Sequence, residues 1–321
     1  SCVTGLAIVD RFGLRKLANM NPKSALSLNR RRFLQRAGAA GISLAAAPSF
    51  GAIGANEQIR LGVIGTDWRG LQLSKQFSGI DGAKIVAICD ADTAVMDAWS
   101  EGMKEHLSDQ PVRHQDYRKL LEDKEIDAVI IASPNHWHAL HMIHSCQAGK
   151  DVYVEKPVTH DLLQGASMLE AEKKYGRIVQ AGTQNRSDTG LIPAFELIQS
   201  GELGKILKVR GMCYRNRKGI GKLDKPASPP STVDYDMWLG PAPNRPFNQN
   251  RFHFNFRWYW DYAGGLMTDW GVHMIDMVHY AMGDAGPKGV AANGGKFAYP
   301  DDASETPDTA EKSPDPEGEP E

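Results

Sequence analysis

The chain has 321 residues, which suggests two domains at the usual size of roughly 100–200 residues each. Its 41% hydrophobic and 24% charged residues are an ordinary globular balance and exclude a wholly disordered or fibrous chain. A formal charge of -2 leaves no global basic field for nucleic acid, and no apolar run reaches the roughly 18 residues of a spanning helix, so stable membrane insertion is not expected.

The two ends differ from the nearly neutral body. Residues 1–47 carry 8 Lys/Arg and one Asp, whereas residues 301–321 carry 9 Asp/Glu and one Lys. Met20 would serve as a start. Asn29-Arg30-Arg31-Arg32-Phe33-Leu34-Gln35 is followed by a weakly apolar stretch, 37–47, that ends in small residues. That is the layout of an export leader. The paired arginines before Phe33-Leu34 resemble the twin-arginine signal, which addresses folded proteins. Residues 1–52 therefore read as upstream residues and leader, implying a periplasmic or otherwise exported protein. The alternative is a basic helix within a cytoplasmic one. With Cys2 discounted, Cys89, Cys146 and Cys213 have neither metal nor redox spacing, so no disulfide framework is expected.

From residue 53 the pattern alternates. Residues 60–65, 84–90, 127–133, 151–156 and 178–182 read as short apolar strands, and 68–79, 92–106, 116–122, 138–149 and 160–175 as helices. Val/Ile runs alternating with helices predict a parallel sheet buried on both faces, a doubly wound α/β domain over 53–182. Ligands of such a sheet bind at the carboxyl ends of its strands.

The first strand-to-helix turn is Gly65-Thr66-Asp67-Trp68-Arg69-Gly70. A dinucleotide loop would read G-x-G-x-x-G, and Asp67 stands at the second glycine, where the backbone should approach a pyrophosphate. A carboxylate there repels phosphate unless it turns away or bonds a ribose hydroxyl. The context is better than the loop: Asp90 ends the second strand 20 residues past Gly70. An acid at that place suits ribose hydroxyls and repels a 2′-phosphate, so NAD is favoured over NADP. An α/β domain without nucleotide is the plainer alternative.

Asp151-Val-Tyr-Val-Glu155-Lys156-Pro157 is more specific. It resembles the glucose–fructose oxidoreductase / inositol dehydrogenase (Gfo/Idh/MocA) family, whose hallmark is Glu-Lys-Pro closing a strand of the nucleotide domain. Ser133-Pro134-Asn135-His136-Trp137-His138 resembles the family's loop beside the nicotinamide, and Ala181-Gly182-Thr183-Gln184-Asn185-Arg186 its domain junction. The segment from Gly264 to His273 resembles its substrate side, and Trp238-Leu239-Gly240-Pro241 with the leader resembles an exported branch. The resemblance implies a Rossmann-type NAD-binding domain followed by an α+β open-sheet substrate and oligomerisation domain, here 183–300. Expected cofactor contacts are Gly65, Thr66, Asp67, Trp68, Arg69, Asp90, Ser133, Asn135, His136, Glu155 and Lys156. A homo-oligomer is expected if the second domain is intact.

Asp269 and His273 are spaced i, i+4, so a helix would put both on one face. The pairing suits a histidine base oriented by a carboxylate, and equally a surface ion pair or two thirds of a metal site. The resemblance favours catalysis by Lys156, Asp269 and His273. Lys156 ends a buried strand, where an ammonium needs a partner or a task, and Pro157 restricts it to extended dihedrals. Glu155, on the alternate face, is expected to pair with a cation, and Asp276 to be structural. His136, His138, His141 and His144 lack acidic or cysteine companions at ligand spacing, so no metal is expected. His136, nearest the strand end, is the histidine expected to see the cofactor.

Residues 206–214 alternate as a strand, and 219–246 read as an irregular loop. In the aromatic run from Arg251 to Tyr262, Arg257, Asn255 and Asp261 could bond sugar hydroxyls, or the run could be core. Residues 301–321, Pro-rich and acidic, are expected to form a disordered tail. The family's second domain runs longer, so the chain is expected to be C-terminally truncated. The leading function is hydride transfer between nicotinamide and a hydroxyl-bearing carbon of a sugar, cyclitol or sugar derivative. The alternatives are an NAD-dependent glycoside hydrolase with tightly bound cofactor, and a non-catalytic sugar- or nucleotide-binding relic.

Overall fold

The computed structural model describes residues 58–315 apart from 214–216, 224, 284, 285 and 288. The predicted leader, 1–52, and the last six residues of the acidic tail lie outside the described residues.

Six parallel strands form the first sheet: β1 (Ile59–Ile64), β2 (Ala83–Cys89), β3 (Val112–His114), β4 (Ala128–Ile131), β5 (Asp151–Glu155) and β6 (Val179–Gly182). Their order is β3-β2-β1-β4-β5-β6. The chain winds outward from β1 to β3, then returns to β4 on the other side of β1. The crevice between the carboxyl ends of β1 and β4 is thus the switch point of a doubly wound sheet, the place where its ligands sit. Val63, Ile88, Ile131 and Val154 are buried, as strands covered on both faces require. Three-residue β3 carries no sequence signal long enough to read.

Helices α1 (Trp68–Ser78), α2 (Thr93–Met103), α3 (Tyr117–Glu122), α4 (Asn135–Gln147) and α5 (Leu162–Tyr175) connect these strands. Asp92, Asp116 and Asp161 start α2, α3 and α5 by accepting from backbone N–H of Ala94, Arg118 and Gln164. Helix α4 starts three residues earlier than its apolar pattern predicts, because Pro134 pre-sets the entry and leaves no extra N–H to satisfy. Asn135, His136 and Trp137 are therefore helical, not loop.

Beyond β6 the described elements are α6 (Ile192–Gln199), α7 (Tyr235–Leu239), α8 (Val272–Ala281) and an antiparallel pair, β7 (Gly289–Gly295) with β8 (Thr309–Asp315). A second core gathers Trp238, Phe247, Phe252, Phe256, Tyr259 and Tyr262, so most of the aromatic run is core. No helix among the described residues is long and apolar enough to cross a membrane.

Two expectations are corrected. Residues 206–213 form no strand, since no described residue pairs with them and Leu207 stands exposed. An alternating pattern needs a partner strand before it becomes one. The acidic tail is also more ordered than its composition implies. Carboxylates that only repel one another in an extended chain here accept backbone hydrogen bonds. Asp302 takes Ile220 N at 3.0 Å, and Asp308 takes the N–H groups of Phe297, Ala298 and Tyr299 at 2.9, 3.0 and 2.8 Å. Asp308→Ala should therefore release residues 297–299 at a local cost of about 1–3 kcal/mol, the worth of hydrogen bonds to a charged group. Amide hydrogen exchange at those three positions checks this, and unchanged protection would show that the carboxylate holds nothing.

Candidate active site

The turn between β1 and α1 is tight. Gly65 adopts φ 86°, and a Cβ on it would lie 2.7 Å from the Ala132 carbonyl oxygen; one on Gly70 would run into the Gly65 carbonyl. Both glycines are thus needed to bring α1 against β1 and β4, leaving its N-terminal N–H groups facing the crevice. Asp67 is the N-cap of α1, and its Oδ1 accepts from Trp68 N at 2.7 Å. The carboxylate that disturbs the dinucleotide pattern is used to cap the helix. Trp68 is largely exposed, and Thr66 is buried.

Asp90 follows β2 and faces the crevice. Its Oδ2 accepts from Thr66 N at 2.7 Å and Thr66 Oγ1 at 3.1 Å, and its Oδ1 from Asp92 N at 3.1 Å. Burial raises its pKa against the lowering effect of those bonds. With four acceptor sites and three donors, the carboxylate keeps capacity for a hydroxyl. A cleft beside it is lined by Gly65, Ala91, Gln115, Pro134, Trp137 and Trp238. The two glycines, the N-terminus of α1, and Asp90 on this cleft fit a dinucleotide. Asp67 is the one feature that argues against its phosphates.

At the end of β5, Glu155 is buried and its Oε1 accepts from Arg69 Nε at 2.8 Å and from Gln184 Nε2 at 2.6 Å. The pairing of Glu155 with a cation is Arg69, reaching from α1. Lys156 Nζ crosses to the second half of the chain, donating to the Asp269 carbonyl oxygen at 2.7 Å and to Asp269 Oδ1 at 3.0 Å. The Lys156–Pro157 peptide is cis.

The expected Asp269–His273 pair is corrected. Residues Met267–Gly271 form a π turn that runs into α8. The two side chains are near enough for Asp269 to pull on the His273 proton, but the carboxylate is occupied by other partners. No hydrogen bond joins Asp269 to His273. Asp269 instead holds three cations: Lys156, Arg217 Nη2 at 2.9 Å on Oδ2, and Arg257 Nε at 3.6 Å on Oδ1. Burial raises its carboxyl, but Lys156, Arg257 and Arg217 outweigh that and hold its pKa below the ordinary value. His273 packs edge-on to Trp270 and feels Lys156 and Arg69. Burial first, then those cations, lower its pKa to about 4 against a weaker pull from Asp269. It is therefore a neutral imidazole near Lys156. Asp276 pairs with Arg186 Nε at 2.8 Å, a structural contact.

The histidines of α4 are partnered within the protein. His136 is buried against Trp238 and Tyr262, so the expectation that it faces the cofactor is not met. Its Nε2 donates to Trp238 O at 3.1 Å, and its buried Nδ1 is left without a partner. Burial lowers its pKa to about 3. His138 lies between two carbonyls, Pro157 O at 2.6 Å and Ser133 O at 2.8 Å, tying the strand end of β4 to the turn behind Lys156. Ser133 Oγ is taken up by His141 Nδ1 at 3.0 Å, and His144 by Tyr117. Asn135, also buried, sits in the first turn of α4. No three His, Cys, Asp or Glu among the described residues converge on a metal site.

Sequence reasoning missed Arg217 altogether, for it lies in an ordinary polar run. Arg257 was expected to bond hydroxyls along with Asn255 and Asp261. Of the three only Arg257 reaches this site, since Asn255 bonds Asn250 and Asp261 pairs with Arg245. The Trp238 carbonyl, which takes both His136 and Trp137 Nε1, was also missed; the Trp-Leu-Gly-Pro motif was its only trace.

Residues 59–183 match the model of the Gfo/Idh/MocA oxidoreductase family's NAD-binding Rossmann fold, and residues 189–303 its C-terminal α/β domain. The chain belongs to this family. It is 31% identical over 157 residues to an inositol 2-dehydrogenase of Salmonella typhimurium, covering 49% of this chain and 44% of that one. A glycosyl hydrolase family 109 protein of Shewanella pealeana is 35% identical over 156 residues, covering 41% and 34%. The crystal structure of a myo-inositol 2-dehydrogenase from Lactobacillus plantarum superposes with a TM-score of 0.56 at 22% identity, covering 76% and 62%, a likeness of fold. The chain spans about half the length or less of these curated relatives.

His136 and His273, with pKa values of about 3 and 4 against 6.5, make stability depend on acid. Between those values the unfolded chain binds protons that the folded chain refuses, so stability is complete above about pH 6.5 and is lost as pH falls toward 4 for His273 and 3 for His136. Urea midpoints should drop over that window, and His136→Asn should reduce the slope. A midpoint that ignores pH there would refute the buried neutral imidazoles.

Proposed function

We propose that this member of the family is an NAD-dependent oxidoreductase acting on a hydroxyl-bearing carbon of a cyclic polyol: a sugar, a cyclitol or a derivative. The observation that carries the reading is the meeting of Lys156, Asp269 and His273 beside the crevice between β1 and β4, with Asp90 and the N-terminus of α1 on its other side. The bound nicotinamide would supply the hydride acceptor. Neutral His273 is the group able to take the hydroxyl proton. An imidazole with so low a pKa is a weak base, so it needs the hydroxyl oxygen to gain negative charge as hydride leaves. The Lys156 ammonium supplies that stabilisation, fixed in place by Asp269. Asp269 acts on His273 only through its field and through Lys156. Asp90 would bond the ribose hydroxyls, which supports NAD over NADP.

Likeness to glycosyl hydrolase family 109 proteins supports a second reading, in which the same transient oxidation serves glycoside cleavage with the cofactor retained. Export of the folded protein, supported by Arg30-Arg31 before Phe33-Leu34, would suit a retained cofactor. Cell fractionation with Arg30→Lys and Arg31→Lys together tests it: release of the doubly changed chain as efficient as wild type would exclude the twin-arginine route.

Denaturing the purified full chain and measuring released NAD(H) by absorbance and mass tests the cofactor; absence of nucleotide, with no binding of added NAD, overturns both readings. With cofactor present, net NADH formation on cyclitols or hexoses supports the dehydrogenase, and aryl glycoside cleavage without net NADH supports the hydrolase. Lys156→Met should lower kcat/KM by about 10²–10³-fold, the usual cost of one lost donor to a developing oxyanion. Asp67→Gly should tighten NAD binding by removing a carboxylate from the phosphate end of α1.

A further inference from the structure

We infer that the substrate carries an anionic group, of the carboxylate class, held by Arg217 and Arg257. The inference rests on the reading of this site as a substrate site. Lys156, Arg217 and Arg257 converge on the single carboxylate of Asp269, with side chains 17%, 24% and 21% exposed. The fourth cation, Arg69, is matched by Glu155. Arg257 also feels Asp67, which is exposed and spends Oδ1 on capping α1. Counting all of these, four cations face three carboxylates. One positive charge is left over in a region largely withdrawn from water, where an unmatched charge is costly.

Arg217 shows where the missing anion belongs. Its guanidinium lies over the Trp258 ring at 5.1 Å, and its main-chain carbonyl accepts from Tyr299 Oη at 2.6 Å, so the ring holds the side chain while the hydrogen bond fixes the backbone that carries it. Nη2 is spent on Asp269, while Nη1 is buried with no hydrogen-bond partner. Arginine offers its donors as a planar fork suited to a carboxylate. A neutral hydroxyl would answer the orphan N–H but leave the surplus charge, whereas one carboxylate answers both. The geometry thus points to a uronate or similar acidic sugar in preference to a neutral hexose or inositol.

The test uses the full chain loaded with NAD and pairs of probes: glucuronate with glucose, and galacturonate with galactose. Affinities come from calorimetry, independent of turnover, and kcat/KM from NADH formation. Uronates should bind about 30-fold or more tightly than their neutral partners, the ratio falling as salt rises. Arg217→Gln should bring that ratio close to one, and Arg217→Lys should keep part of it. Equal binding of acid and neutral probes, or no binding of any probe, overturns the inference. So does an Arg217→Gln loss that is equal for both members of a pair, which marks a structural arginine, or one that appears in NAD affinity instead, which assigns the anion to the cofactor's phosphates. Selective uronate binding without NADH formation would uphold the inference while removing the dehydrogenase reading. Reduction of NAD by neutral polyols with no preference for uronates would do the reverse.

Discussion

The ion pair between Lys156 and Asp269 is the contact on which the site depends. It joins the end of β5 to the π turn before α8, 113 residues apart in sequence, in a place where both side chains are mostly withdrawn from water. An isolated ammonium at that strand end would be costly, and so would an isolated carboxylate in the turn. Each is acceptable because the other is there. Breaking such a pair from one side usually costs far more than the pair itself contributes, because an uncompensated charge is left behind. The pair therefore also sets how the second half of the chain meets the first.

Other contacts reinforce that meeting from the opposite edge of the crevice. Asp234 N and Thr93 N bond across to Ala91 O and Thr232 O, and the Trp238 carbonyl takes His136 and Trp137. His138 then links the β4 end to the turn carrying Lys156. The histidine-rich start of α4 forms a wall of hydrogen-bonded and stacked rings. Burial keeps His136 and His141 neutral, and a neutral ring can give one nitrogen as donor and the other as acceptor.

Asp67 illustrates how one side chain can serve two ends. A glycine there would leave the helix N-terminus wholly to phosphate, while an aspartate satisfies a helix donor itself. Asp67 thus stabilises α1 at the end where the sheet's ligands bind.

Much of this was legible in the sequence. The Val/Ile runs and their spacing determined the parallel sheet, because strands buried on both faces admit few polar residues, and Gly65, Gly70 and Asp90 mark the turn and strand end where a nucleotide belongs. Glu155-Lys156-Pro157 marked the strand end where Lys156 meets Asp269. What failed did so where a pattern's meaning depends on distant partners. Residues 206–213 alternate like a strand and find no partner among the described residues. Asp269 and His273 have helical spacing, but the carboxylate is claimed by Lys156, Arg217 and Arg257 from elsewhere in the chain. Arg217 has no local signature, and it becomes part of the site only when folding brings it onto Asp269. The sequence by itself determined the elements and the chemistry available. The tertiary structure alone decided which cation meets which carboxylate, because charge pairing depends on proximity in space and on withdrawal from water, and neither is written in the order of residues.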